Sequence, residues 1–410
     1  MARRRIAQMP LHGGKAPAYL FRRMTKLAGA ITMAIVDEFG PDEVLRRLSD
    51  PWWFQAFGCV LGFDWHSSGV TTVTCGALKE ASRVMGSDLG IVVAGGKGNV
   101  SRKTPTEIIE ASDRLGLCSG DHLVRCSKLS AKVDSAAVQD GFNLYHHCFF
   151  FTHAGQWCVV QQGMNEAEKS ARRYHWLSEG VQDFVCEPHA AISDLAGADS
   201  ESAQSHDGDA DVMNEPLLNM VAFEASGNRN ASVQLTAEHP DRILSEIQLM
   251  TEGPSLFAPR HHQVLPRNIN RARLKQLIPA IHEQMPQSYQ ELLGLEGVGP
   301  AAVRSLALVA EIIFQTPVSH RDPAANPMRE SGKVYCEDQE PQQPGLRRWA
   351  DYSYAHGGKD ATPFPVDCES YDRNIQLLTD AIRRARLGEN DRFHALRALG
   401  TMQSDDYNRP

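Results

Sequence analysis

The sequence predicts an α/β (α+β) N-terminal domain with a β-hairpin, followed by a mainly helical domain that contains a helix-hairpin-helix. Three observations carry this reading. Residues 144–152 and 156–162 are rich in aromatic and β-branched side chains and flank a turn at His153-Ala154-Gly155, which is a hairpin signature. Residues 193–215 hold seven acids, no Lys or Arg and few apolar residues, so they cannot build a core and they divide the chain into two folded parts. Residues 288–314 carry two helical apolar patterns around Gly297-Val298-Gly299-Pro300.

In chain order, a helix is first expected over 16–39, where Leu20, Met24, Leu27, Ile31 and Ile35 recur at three- and four-residue spacing. Pro41 opens a second short helix through Leu48, and the apolar stretch 52–61 reads as deeply buried. Residues 89–94 read as a short buried strand ending in Gly95-Gly96-Lys97-Gly98. Thr104-Pro105-Thr106-Glu107 is a helix start with Thr as cap. The expected organisation is a candidate catalytic domain at 1–190, an acidic flexible linker at 191–215, a helical DNA-binding domain at 216–320, and a loop-rich extension with one helix at 321–410.

Composition removes several classes. With 42% apolar and 22% charged residues, the 410-residue chain can bury sizeable cores. No apolar run is long enough to span a bilayer, so no membrane partner and a cytoplasmic location are expected. Nine cysteines without a Cys-x-x-Cys pair read as reduced thiols rather than a disulfide frame or zinc ribbon. The net charge of −8 falls to about −1 once the seven acids of 193–215 are set aside. Residues 1–36 and 253–282 are basic and free of acids, and local field rather than net charge decides whether a polyanion is attracted.

The 288–314 stretch bears most on function. Leu292 and Leu293 close a short first helix, Gly297 and Gly299 allow a tight turn, and Pro300 starts a helix with Ala302, Leu306, Val309 and Ile313 on one face. Free N–H groups and the dipole at that helix start suit a phosphate, which positions a duplex without reading its sequence. The expected DNA-binding residues are therefore Gly297, Val298, Gly299 and Ala301, with Arg267, Arg271, Arg273 and Lys275 ahead of them. Arg102 and Lys103 beside the glycine-rich 95–98 stretch join this set. That stretch lacks Walker spacing, which argues against nucleotide hydrolysis.

Phosphodiester cleavage needs carboxylates around Mg²⁺ or Mn²⁺ and a cation for the developing charge. Asp64, Asp134, Asp140 and Glu187 are the candidate ligands. Asp64, His66, Lys97, Lys132, Asp134, Asp140 and His146 are the candidate catalytic set. His146 and His147 fall on opposite faces of a strand. The hairpin ends Gln161-Gln162-Gly163 with no Lys two places on, a departure from the restriction-type nuclease pattern.

Four segments, 10–17, 57–69, 94–98 and 356–360, the first and last carrying His-Gly-Gly-Lys, resemble a bacterial and archaeal family known as domain of unknown function 763. The resemblance covers most of the chain and implies an intracellular prokaryotic protein; through its helix-hairpin-helix it implies work on DNA. The leading expectation is a metal-dependent DNA nuclease of repair or recombination, with self-association open. A DNA glycosylase is the first alternative, weakened because Asp322 lies beyond a Pro after the hairpin. A non-enzymatic DNA-binding or scaffold protein is the second.

Overall fold

The structure, a computed structural model, describes residues 5–10, 18–62, 68–167, 169–181, 183–186, 217–252, 271–323, 352–355 and 364–367, with further positions between 376 and 396. The acidic stretch 193–215, the His-Gly-Gly-Lys segments at 12–15 and 356–359, and the candidate residues Asp64, His66, Glu187 and Arg267 lie outside the described residues.

The chain runs β1 (Arg5–Pro10), α1 (Ala18–Phe39), α2 (Pro41–Leu48), α3 (Pro51–Val60), α4 (Gly69–Met85), β2 (Ile91–Lys97), α5 (Thr104–Leu115), α6 (Gly120–Lys132), β3 (Val138–Gln139), β4 (Asn143–Thr152), β5 (Trp157–Asn165) and β6 (Ser170–Leu177). Then come β7 (Leu218–Asn219), α7 (Ser226–Thr236), α8 (Pro240–Glu252), α9 (Arg271–Gln284), α10 (Tyr289–Gly294), α11 (Pro300–Phe314), β8 (Tyr352–Ala355) and β9 (Phe364–Asp367). The fold is mixed α+β. Its main sheet has the order β1-β6-β5-β4-β2, every pairing antiparallel, all within the N-terminal half.

The expected hairpin is the centre of that sheet. Phe151 pairs with Trp157 and Cys148 with Val160, across the turn that Gly155 closes at φ +78°. Alternation then sorts the aromatic run. Phe150, Cys158 and Val160 face a core shared with α1–α4, including Met24, Ile31, Leu45, Phe54 and Leu78. Phe149, Phe151, Trp157, Val159 and Trp176 face a second core with Ile108, Leu123, Leu235, Leu274, Ile278, Leu292, Leu306 and Val309. Helices cover both faces, which is why these strands read as near-continuous apolar runs.

The structure adds β1 and β6 to the sheet and the helices α4 and α6 around it. β6 (Ser-Ala-Arg-Arg-Tyr-His-Trp-Leu) hides two arginines, and α4 opens Gly-Val-Thr-Thr-Val-Thr, a β-branched run that tertiary packing holds helical. The expected Thr104 cap is not formed. Thr104 is the first helical residue and its hydroxyl donates to Ser101 O (2.6 Å). Glu107 turns away from the helix start, accepting from Gly95 N (2.7 Å) and from Lys79 Nζ.

Candidate functional site

Residues 295–299 join α10 to α11 in a tight turn. Ser288 caps α10, accepting from Glu291 N (3.2 Å), while the Glu291 carboxylate accepts from Gln287 N (2.8 Å). Gly297 has φ +82°, and a Cβ there would lie 2.9 Å from Leu277 Cδ1 of α9. Val298 is fully buried and pins the turn to the second core. Gly299 differs: its φ is −134°, and a Cβ there would meet nothing within 4 Å.

The carbonyls around this turn point inward. Lys132 Nζ donates to Leu295 O (3.3 Å) and to Val298 O. Gln139 Nε2 donates to Pro300 O (3.0 Å), and its Oε1 accepts from Arg304 Nε (2.9 Å). The acceptor groups of the turn are thus occupied from below by an ammonium and an amide. Pro300 stands at the first position of α11, whose opening N–H groups have no acceptor within the helix. α9 starts Arg271-Ala272-Arg273-Leu274-Lys275, with Lys275 exposed, and meets the turn two residues later through Leu277. Helix α9 and the glycine turn, separated in sequence, are neighbours in space.

The candidate carboxylates sit elsewhere, on the sheet face that the second core covers. Asp134 lies in a five-residue π-helical turn, Val133–Ala137, and is fully buried. It accepts from Trp176 Nε1 (3.0 Å) and from Gln161 Nε2. Gln161 Oε1 accepts from His147 Nδ1 (2.8 Å), and His147 Nε2 accepts a hydrogen bond from the Ser127 hydroxyl (2.8 Å). This Ser-His-Gln-Asp chain resembles a nucleophile relay, but Ser127 is only 2% exposed, so it is a buried polar strut with no route for a substrate. Burial holds His147 below the usual imidazole range, with Gln161 opposing the shift.

Asp140 pairs with Arg172 Nη1 (2.8 Å) and accepts from Tyr174 Oη (2.8 Å). Arg172 also forks onto both oxygens of Asp322 (2.9 and 3.0 Å) and lies over the Phe142 ring at 4.4 Å. Asp134 and Asp140 are thus held by different partners. Lys132, an expected catalytic residue, donates to the carbonyls of the 295–299 turn. Lys97 ends β2, exposed, with its ammonium 5.7 Å from the Tyr145 ring centroid. Arg102 and Lys103 are exposed on the 3-10 turn after β2. An open groove of about 910 Å³ beside β2 is lined by Lys79, Glu80, Arg83, Glu107 and Arg114, of which Lys79–Glu107 and Arg83–Glu80 are ion pairs at 2.6 Å.

The opposite sheet face holds a different set. Arg173 is fully buried and donates to His175 Nε2 (2.8 Å), Gln55 Oε1 (3.0 Å), Pro51 O (3.1 Å) and Thr71 Oγ1 (3.3 Å), with its guanidinium 4.6 Å from the Phe54 ring centroid. Thr71 donates to Gln162, which in turn donates to Ser68 O (3.0 Å) and to Tyr145 Oη. One helical turn from Thr71, Cys75 meets His146 and Cys148 of β4; the ligand atoms of the three lie within 4.8 Å of one another, all buried. Among the described residues this is the sole grouping of three such side chains. Burial pushes the Cys75 thiol well up and, with repulsion from His147 and Lys97, pushes His146 down to about 3.

Of these three, His146 is legible from sequence as a candidate. Cys75 and Cys148 escape notice there, because the Cys-x-x-Cys spacing that marks a zinc site is missing. The signal present is His146-x-Cys148 inside an expected strand, a spacing that puts both side chains on one face.

A family model matches residues 5–366, and the chain belongs to that family, described as protein of unknown function (DUF763). Searches of curated proteins and of solved structures found no match. Among the described residues, no helix is long and apolar enough to cross a membrane.

Proposed function

We propose that this member of the family binds DNA through its sugar–phosphate backbone, using the turn between α10 and α11 as a helix-hairpin-helix. The observation that carries the reading is Gly299, which stands at the start of α11 with open space where a Cβ would be. A phosphate oxygen can approach the first N–H groups of α11 there, where no side chain shields the backbone. Two further features support it. The turn carbonyls, which would repel an anion, are occupied by Lys132 and Gln139. The basic start of α9 adds positive potential beside the turn. Backbone contact of this kind selects DNA structure rather than sequence.

Cleavage is the second half of the proposal. Asp134 and Asp140 are held by different partners, so an Mg²⁺ or Mn²⁺ site built on carboxylates would rest on Asp64 and Glu187, outside the described residues. Incubating the protein with flap, nicked, gapped and single-stranded DNA, with and without Mn²⁺, tests it directly. Metal-dependent products that vanish in Asp64→Asn support the nuclease reading; intact DNA in every lane leaves a binding protein.

Binding itself has a clean test. Gly299→Glu places a carboxylate in open space at an ordinary extended φ, so the fold is expected to keep its melting temperature. Fluorescence anisotropy is expected to show about tenfold or greater weakening, roughly 1.4 kcal/mol. Wild-type affinity should fall steeply with salt. Equal affinity of Gly299→Glu and wild type for every DNA would reject the hairpin as the contact.

A further inference from the structure

We propose that Cys75, His146 and Cys148 are ligands of one tightly held soft metal ion, Zn²⁺ being the ion their chemistry fits best. Each element presents its ligand for a local reason. In α4 the buried positions include Thr71, Thr74, Cys75 and Leu78, so Cys75 stands on the stripe that packs against the sheet. In β4, His146 and Cys148 are two residues apart and share the face towards α4, the face of Phe150 and Val160. A helix and a strand thus close on one point from opposite sides.

Two observations favour an ion over ordinary packing. His146 is 1% exposed, yet neither of its ring nitrogens has a hydrogen-bond partner, an arrangement that leaves two buried polar atoms uncompensated. A nitrogen–metal bond supplies what is missing. The donor set is two sulfurs and one imidazole, a combination that selects zinc-class ions over Mg²⁺ or Mn²⁺, which take oxygen.

Binding is balanced as an exchange of cations. Zn²⁺ enters, the thiols of Cys75 and Cys148 each release one proton to solvent, and the neutral imidazole of His146 gives a lone pair without losing a proton. Cys158 on the adjacent strand β5, paired with Phe150, shares the same core face and is a candidate for a fourth ligand. A closed, buried set of this kind holds helix and sheet together rather than exposing a reactive water. The site is independent of the proposed DNA-binding hairpin, which lies on the other side of the sheet.

The test uses the full chain purified without chelator or affinity metal. Elemental analysis is expected to find about one equivalent of zinc, retained by Cys126→Ser, whose cysteine packs in the other core, and lost by His146→Ala and Cys148→Ser. Those two variants can fail to fold, so cobalt substitution of the wild-type chain gives a second reading. Thiolate-to-cobalt charge transfer in the near ultraviolet, with intense visible bands of tetrahedral Co²⁺, is the expected signature. The proposal is overturned by a folded protein that carries no metal and takes up no Co²⁺ with those bands. It is equally overturned by a metal-free protein with Cys75 and Cys148 joined as a disulfide.

Discussion

Cys126 illustrates how burial sets side-chain chemistry residue by residue. It lies in α6, 3% exposed, with His122 Nε2 at 3.5 Å from its sulfur. Burial pushes its thiol up to about 11 from an ordinary value of 9.0, the charge of Arg125 opposing weakly. The folded chain therefore keeps a proton that the unfolded chain has lost. The stabilisation this gives is complete below pH 9 and disappears as pH rises through about 11, with a slope of at most ~1.4 kcal/mol per pH unit between them. Urea unfolding of wild type and Cys126→Ala at several pH values isolates the effect: the difference between the two should shrink steadily from pH 9 to 11. A constant difference would mean the thiol is not shielded. Residue identity alone predicts little of this kind. Asp134 and Lys132 are readable as chemical groups, but their use depends on partners far away in sequence: Gln161 and Trp176 for one, the carbonyls of 295 and 298 for the other. No local pattern encodes such pairings.

At the scale of elements, local signals reach further, and Gly95 shows both their reach and their end. The sequence marks 95–98 as glycine-rich and invites a phosphate-binding reading. In the structure Gly95 has φ +89° and pairs with Cys148, and a Cβ on it would collide with His147 O and Thr104 Oγ1. Its N–H is held by Glu107 and its carbonyl by Lys79 (2.7 Å). The glycine lets β2 pass close under the start of α5. Gly95→Ala is accordingly expected to cost about 3 kcal/mol, from positive φ and overpacking together. Chemical denaturation measures it, and a loss under ~1 kcal/mol would show that the strand relocates freely. The hairpin, α2 and α11 are legible because turn residues, N-terminal prolines and period agree there. β6 and α4 are not, since two arginines inside a strand and a Thr-Thr-Val-Thr run inside a helix contradict local propensity. Tertiary burial reverses both, and the Arg173 and Cys75 environments are found in those two elements.

At the scale of the molecule, the division drawn near residue 190 separates sequence patterns but not cores. Phe149, Trp157 and Trp176 of the sheet belong to one buried cluster with Leu235, Leu274, Leu292, Leu306 and Val309 of the later helices. Polar groups stitch the same boundary: Lys132 to the turn before α11, Gln139 to Pro300 and Arg304, Arg172 to Asp322, and β3 to β7. A helical segment cut away at 216 would expose the apolar faces of α7, α10 and α11 to water, while the sheet would lose the cover of one face. Each half then loses buried apolar area that helps offset its chain entropy. The full chain is therefore expected to unfold in one calorimetric transition, with calorimetric and van't Hoff enthalpies equal, and residues 216–320 expressed alone should lack a cooperative melt. Two separated transitions, the later one reproduced by the isolated segment, would establish independent domains.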